Sequence, residues 1–188
     1  VKSLDAVWFV HKYLPQMPII FDQGLYTYNH RAQEMFREFH PVRMTTPYEL
    51  NRGELKKRDN TDSEMVLYGY LPLMTSAQCV HANTGKCDTT PVVTYLKDRY
   101  GKFFPVKNNC TECYNIIYNT TPLMLFGYGK ELQKADFSNF RLNFTVESEE
   151  KVRQILAIYE TVFYEGRKNL ADVYQGEYTN GHYKRGVE

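Results

Sequence analysis

No stretch of the chain stays apolar for the length a bilayer-spanning helix requires, and no secretory leader pattern is present. The sequence therefore predicts no membrane partner. A cytoplasmic setting is the expectation, to which the missing leader adds little. Charge of one sign is also lacking: 23 Lys and Arg oppose 22 Asp and Glu, for a net +1. That balance gives no global pull toward nucleic acid or anionic lipid and leaves only local patches to act. The common hydrolase and phosphate-binding signatures are missing as well. There is no HExxH helix, no glycine-rich phosphate loop and no Ser–His–Asp arrangement. No internal repeat or low-complexity tract occurs. The chain starts at Val1 rather than Met, which reads as an excised fragment or a processed product.

What remains is enough for a folded domain, or a domain and a half, in 188 residues, of which 43% are hydrophobic and 24% charged. Tyrosine, with 16 residues against one Trp, is the commonest aromatic. Its apolar ring and hydroxyl suit half-buried strands and surfaces that stack on flat groups.

Residues 3–13 read as a short helix stopped by Pro15 and Pro18. A buried strand over 18–22 follows, then a helix over 30–39 capped by Asn29, with Ala32, Met35, Phe36 and Phe39 on one face. A second strand is expected over 41–45. Thr46, Pro47 and Glu49 then form a capping box, which predicts a helix over 47–57. A third strand covers 64–71. Strand, helix, strand, helix, strand with short connections is the pattern of βαβ units and a parallel sheet. Those three strands look apolar enough for burial on both faces. Three strands do not close a barrel, so residues 1–75 read as the end of something larger.

After Cys79 the pattern changes. Short apolar pieces at 103–106, 114–118, 122–126 and 140–144 alternate with turn residues and suit short, antiparallel strands. Ser148 caps a helix over 149–164, with Val152, Ile155, Leu156, Tyr159 and Val162 or Phe163 at helical spacing. Residues 76–165 thus form a cysteine-bearing region and 166–188 a Gly- and Tyr-rich basic tail.

All four cysteines lie between Cys79 and Cys113, as Cys79-x7-Cys87 and Cys110-x2-Cys113. A Cys-x2-Cys turn aims two thiolates at one ion, and four soft thiolates suit zinc or an iron–sulfur cluster. Gly85, two residues before Cys87, allows the tight backbone such a loop needs. Disulfides in an oxidising compartment, with the sequons at Asn109, Asn119 and Asn143 compatible with secretion, and unlinked buried thiols stand as the alternatives.

Other candidates are Asp22 and Asn29, which follow a predicted strand at the sheet end where βα barrels place their chemistry. Thr46 and Glu49 share that place but are explained by capping. Glu147, Glu149 and Glu150 read as a solvated set favourable to a helix N-terminus. His182, Lys184 and Arg185 lie in a basic, aromatic tail that is either a frayed end or a substrate-binding element.

Several segments together resemble the collagenase-like peptidase family U-32. They are Tyr68-Gly-Tyr-Leu-Pro-Leu-Met74 leading to Ala77-Gln-Cys79, Gly85-Lys-Cys87, Leu96-Lys-Asp-Arg99 and Phe104-Pro-Val106. Cys110-x2-Cys113-Tyr-Asn115, Arg141-Leu-Asn-Phe-Thr145 with Glu147, and the ending Tyr178-Thr-Asn-Gly-His-Tyr-Lys-Arg-Gly-Val-Glu188 complete the set. The resemblance runs from about residue 17 to the end. It implies the C-terminal remnant of a TIM-like barrel followed by a cysteine-bearing, mostly short-stranded α+β region. It also implies an N-terminal barrel half as partner, and exposed strand edges through which an isolated fragment would dimerise. The family is labelled as peptidase. Several relatives look instead like hydroxylation proteins that act on RNA bases or a quinone precursor through a four-cysteine iron–sulfur cluster. The resemblance thereby favours a 4Fe–4S cluster over zinc on Cys79, Cys87, Cys110 and Cys113, and RNA or peptide as substrate. One element departs from the family: Pro72 stands where its best-known pattern has a cysteine, which marks a variant subgroup.

Overall fold

The computed structural model describes residues 1–85, 87–137 and 139–187. Helix α1 (Leu4–Tyr13) starts at Ser3, whose Oγ accepts the Ala6 N–H, and ends just before Pro15. Strand β1 (Ile20–Phe21) leads to α2 (His30–Arg37), where Asn29 Oδ1 accepts the Ala32 N–H at 3.0 Å. The buried face of α2 carries Gln33 and Phe36, while Met35 is exposed. Gln33 takes that place rather than Met35, and its Nε2 donates to the Asp59 carbonyl at 2.7 Å, although its Oε1 is buried without a partner.

Strands β2 (Arg43–Thr45) and β3 (Ser63–Gly69) extend a parallel sheet in the order β1-β2-β3, as the βαβ pattern predicts. The helix between them is shorter and later than the sequence led us to expect: α3 is Arg52–Leu55, not 47–57. Thr46 does not cap it, because its N–H and hydroxyl both donate to the Glu64 carbonyl and prolong the sheet. Asn51 takes the cap instead, and its capping box closes with Glu54.

A second, antiparallel sheet follows. It comprises β4 (Pro72–Ser76), β5 (Val93–Lys97), β6 (Phe103–Asn109) and β7 (Tyr114–Tyr118) in the order β4-β7-β6-β5, with the short helix α4 (Val80–Asn83) between β4 and β5. The chain then returns to the first sheet. β8 (Leu123–Met124) runs antiparallel to β3, and after α5 (Gly129–Gln133) comes β9 (Asn139–Asn143). The expectation of an antiparallel strand over 140–144 is corrected here: β9 is parallel to β3 and adds a fourth parallel strand. Its return through the whole second sheet is a long crossover that sequence periodicity does not reveal. Helix α6 (Glu149–Ile158) is capped by Ser148, and its last turns widen into a π-helix, Tyr159–Tyr164. The wider turns let Val162 and Phe163 both bury after Ile155 and Ile158, whereas Leu156 stays exposed. Helix α7 (Leu170–Val173) and the tail complete the chain.

The architecture is a mixed α/β fold with one mainly parallel and one antiparallel sheet, and among the described residues no barrel closes. No helix among them is long and apolar enough to cross a membrane. Every residue of β3 is buried, which makes it the centre of the first sheet. A bulge between Val66 and Tyr68 in its pairing with β9 turns Tyr68 toward Phe126 and Phe144. Gly69 ends the strand at φ +155°, where a Cβ would lie 2.6 Å from the Asn143 carbonyl oxygen, so only glycine fits. Two apolar clusters hold the elements together. One lies under α1 and α2 (Val7, Phe21, Phe36, Met44), the other around β3, β8 and α6 (Leu67, Tyr68, Met124, Phe126, Ile155). Each such side chain contributes about 1.5–3 kcal/mol by leaving water.

Candidate functional sites: a four-thiol sheet end and a charged sheet face

The antiparallel sheet delivers all four cysteines to one of its ends. β6 and β7 pair down to Asn109–Tyr114, and the loop between them is Cys110-Thr-Glu-Cys113. Cys113 closes that loop at φ +56°, a conformation L residues with a Cβ rarely adopt. β4 pairs with β7 as far as Ser76–Asn115 and then runs through Gln78 into Cys79, which opens α4. Gly85, at φ +67°, turns the chain out of α4 toward Cys87 and Asp88, and β5 then re-enters the sheet beside β6.

All four cysteines are free thiols; Cys79 is buried, Cys110 half-buried, and Cys87 and Cys113 exposed. Burial pushes the Cys110 thiol above its ordinary pKa, and Cys87, Cys79, Asp88 and Cys113 push the same way through their charge. That field marks the other three sulfurs as electrostatic neighbours of Cys110. They gather without closing: among the described residues, no three His, Cys, Asp or Glu side chains form a group that would ligate an ion. Four soft thiolates on two arms nevertheless fit zinc or an iron–sulfur cluster by donor chemistry. Asp88, which no motif announced, joins this end; the carboxylate accepts the Thr90 N–H at 2.9 Å and is held below its usual range.

The second site lies on one face of the parallel sheet. Asp22, directly after β1, accepts Arg141 Nη1 at 3.0 Å and the Gln23 N–H at 3.0 Å. Arg141 Nη2 reaches Glu64 Oε1 at 2.6 Å, and Thr45 Oγ1 donates to the same oxygen at 2.8 Å. Thr45 and Glu64 are register partners across β2 and β3, and Arg141 stands opposite Val66 on β9. This corrects the expectation of strands apolar on both faces: one face is apolar, the other carries an Asp–Arg–Glu ladder. At its carboxyl end Tyr48 bonds to Asn143, and burial pushes its phenol up to about 12. Tyr28, bonded to Glu49 and stacked on Tyr26 at 5.7 Å, is likewise pushed up to about 12, mainly by burial.

Of the two predicted catalytic residues, only Asp22 joins this ladder, whereas Asn29 is occupied as the cap of α2. The ladder partners Glu64, Thr45 and Arg141 were missed as site residues, because nothing local marks strand residues as facing one another; Arg141 stood only within the family-like segment. Glu147 is not solvated as expected. Its Oε2 accepts the Thr145 and Val146 N–H groups, and it faces buried Tyr68, whose phenol burial raises strongly.

The tail folds back rather than fraying. Its Tyr183 is 3% exposed, packs on Tyr128 and accepts the Arg52 N–H at its carbonyl. His182 Nδ1 lies 2.9 Å from the Gly186 carbonyl, Lys184 sits over the Tyr128 ring, and Arg185 is exposed. Through Tyr183 and Lys184 this part of the tail packs beside α3, Tyr128 and α5. A groove of about 420 Å³ between α5 and the π-helix holds none of the predicted site residues.

Fold and sites together define a mixed α/β protein with a thiol cluster on an antiparallel sheet and a charged face on a parallel one. No protein-family model, curated protein or solved structure matches the chain.

Proposed function

We propose that the chain is the C-terminal part of a protein of the collagenase-like peptidase family U-32, with Cys79, Cys87, Cys110 and Cys113 holding a 4Fe–4S cluster. The gathering of four free thiols at one sheet end, with Cys113 held at positive φ, carries this reading. Such a cluster supplies one-electron redox chemistry. Hydroxylation of an RNA base or a small precursor fits these residues better than the family's peptidase label, since peptide hydrolysis needs an activated nucleophile or water and neither is assembled among the described residues. Within that reaction Asp22, set by Arg141, lies at the carboxyl end of the parallel strands, where βα folds bind substrate. Free thiols accord with a cytoplasmic setting. A structural zinc on the same four sulfurs is the second reading, favoured by the same donor set.

The larger barrel belongs to this proposal. β1, β2, β3 and β9 run parallel, and Val1 sits on the outer edge of β1 in parallel register: its N donates to the Ile20 carbonyl and its carbonyl accepts the Asp22 N–H. Those are the bonds another parallel strand would make. Beside it α1 exposes Leu4, Trp8, Phe9 and Tyr13, an apolar surface for an N-terminal barrel half or, in the isolated chain, for a second copy.

Anaerobic purification with iron, sulfide and zinc analysis tests the centre. We expect iron and acid-labile sulfide with visible absorption, lowered by replacing any one of the four cysteines with Ser. One zinc per chain and no sulfide would establish the structural reading. Binding of neither metal would remove both.

A further inference from the structure

We propose that Asn115 is the positioning residue of the four-cysteine site, the clamp that holds the Cys79 arm against the Cys110–Cys113 hairpin. This rests on the metal reading above. Asn115 is 0% exposed and lies on β7, the strand between β4 and β6, two residues after Cys113. Its Nδ2 donates to the Gln78 carbonyl at 2.8 Å. That carbonyl shares a peptide plane with the Cys79 N–H, so the bond fixes the backbone from which the Cys79 sulfur projects. Ser76 Oγ also engages Gln78, accepting its N–H at 3.2 Å, and the Asn83 N–H closes on the Cys79 carbonyl at 3.0 Å. Backbone pairing of β4 with β7 ends at Ser76–Asn115. Beyond that rung the Asn115 side chain carries the link from the hairpin to the arm.

The chemistry of the position supports a clamp rather than filling. A donor is required for the link across strands, because without it the Gln78 carbonyl keeps only the longer 3.3 Å bond from Ser76 Oγ, which lies on the same arm. The amide cannot turn over, since its oxygen would then face that carbonyl oxygen. Asn115 Oδ1 and Oδ1 of its cross-strand neighbour Asn108 are buried without partners, a cost that a leucine pair would avoid. A carboxylate would lack the donor.

The test compares Asn115→Asp with Asn108→Asp. Both place a carboxylate at the same rung of the same strand pair, but only Asn115 bonds the arm. Zinc affinity is measured on the whole chain by chelator competition, cobalt substitution counts thiolate ligands, and alkylation of Cys79 in the metal-free chain is followed by mass spectrometry. We expect Asn115→Asp to weaken zinc binding about 10–100-fold, to lose one thiolate from the cobalt spectrum and to speed Cys79 alkylation, with Asn108→Asp changing each far less. Asn115→Ser, which keeps a shorter donor and adds no charge, should fall between Asn115→Asp and the parent chain. Equal effects of the two Asp variants, or an unchanged Cys79 rate in Asn115→Asp, would overturn the clamp. A parent chain that binds no metal while Asn115→Asp still unmasks Cys79 would refute the metal reading and keep the clamp.

Discussion

Replacing Arg141 by Met removes the one cation that faces both Asp22 and Glu64 on the sheet. Their side chains are only 12% and 7% exposed, so water does little to replace the guanidinium. Stripping one partner from a buried ion pair costs about 3–5 kcal/mol, most of it the penalty of the charge left behind. For a chain of this size that corresponds to a fall in Tm of roughly 6–20 °C. Lys2, 3.6 Å from Asp22 and itself largely exposed, offsets little of this. Guanidinium denaturation followed by circular dichroism reads the loss as a lower midpoint at unchanged slope. Arg153→Met serves as the control, since its partner Glu149 is exposed and the pair contributes at most about 1 kcal/mol. Adding Glu64→Met to Arg141→Met removes one orphaned charge, so the double variant should recover about 1–3 kcal/mol relative to additivity. A loss in Arg141→Met no larger than the control's, or strict additivity, would refute the ladder as a buried unit.

Gly69→Ala should cost roughly 2–6 kcal/mol, as strain at φ +155° and a 2.6 Å clash with the Asn143 carbonyl act together; a neutral result in the same denaturation assay would contradict the β3–β9 approach. Asn29→Ala should cost about 1 kcal/mol, the value of a lost helix cap, and leave any activity of the full-length protein intact, whereas Asp22→Asn should reduce that activity without unfolding. High pH should unfold the protein. The phenols of Tyr48, Tyr70 and Tyr183 are pushed up to about 12 by burial, so the native state holds protons that the unfolded chain releases near pH 10. Their contribution is complete below pH 10 and is lost as pH rises through 12, a few kcal/mol at most for each group. Arg58, lowered by burial to about 10, acts in the opposite sense above that pH, but it is one group against several tyrosines. Tyrosinate absorbance that rises together with loss of structure, rather than before it, is the expected record.

What the sequence determined was local. Ser3, Asn29 and Ser148 carry side-chain acceptors next to amphipathic runs, and the helices begin where those acceptors stand. The alternation of strand and helix over 1–75 dictated parallel pairing, because short helical connections between strands admit little else. The Cys-x2-Cys spacing likewise placed Cys110 and Cys113 in one turn. Tertiary structure decided what depends on partners far along the chain. Thr46 had the local chemistry of a cap, yet the Glu64 carbonyl on the next strand claimed its N–H and hydroxyl. Asn139–Asn143 became a parallel strand because β3 offered an edge after the whole antiparallel sheet had intervened. Asp22, Glu64 and Arg141 meet only through strand register, and the Cys79 arm reaches the Cys110–Cys113 hairpin only because β4 lies beside β7. Helix capping is written within four residues of sequence; strand register is a sum of distant contacts, and it was the register that assembled both sites.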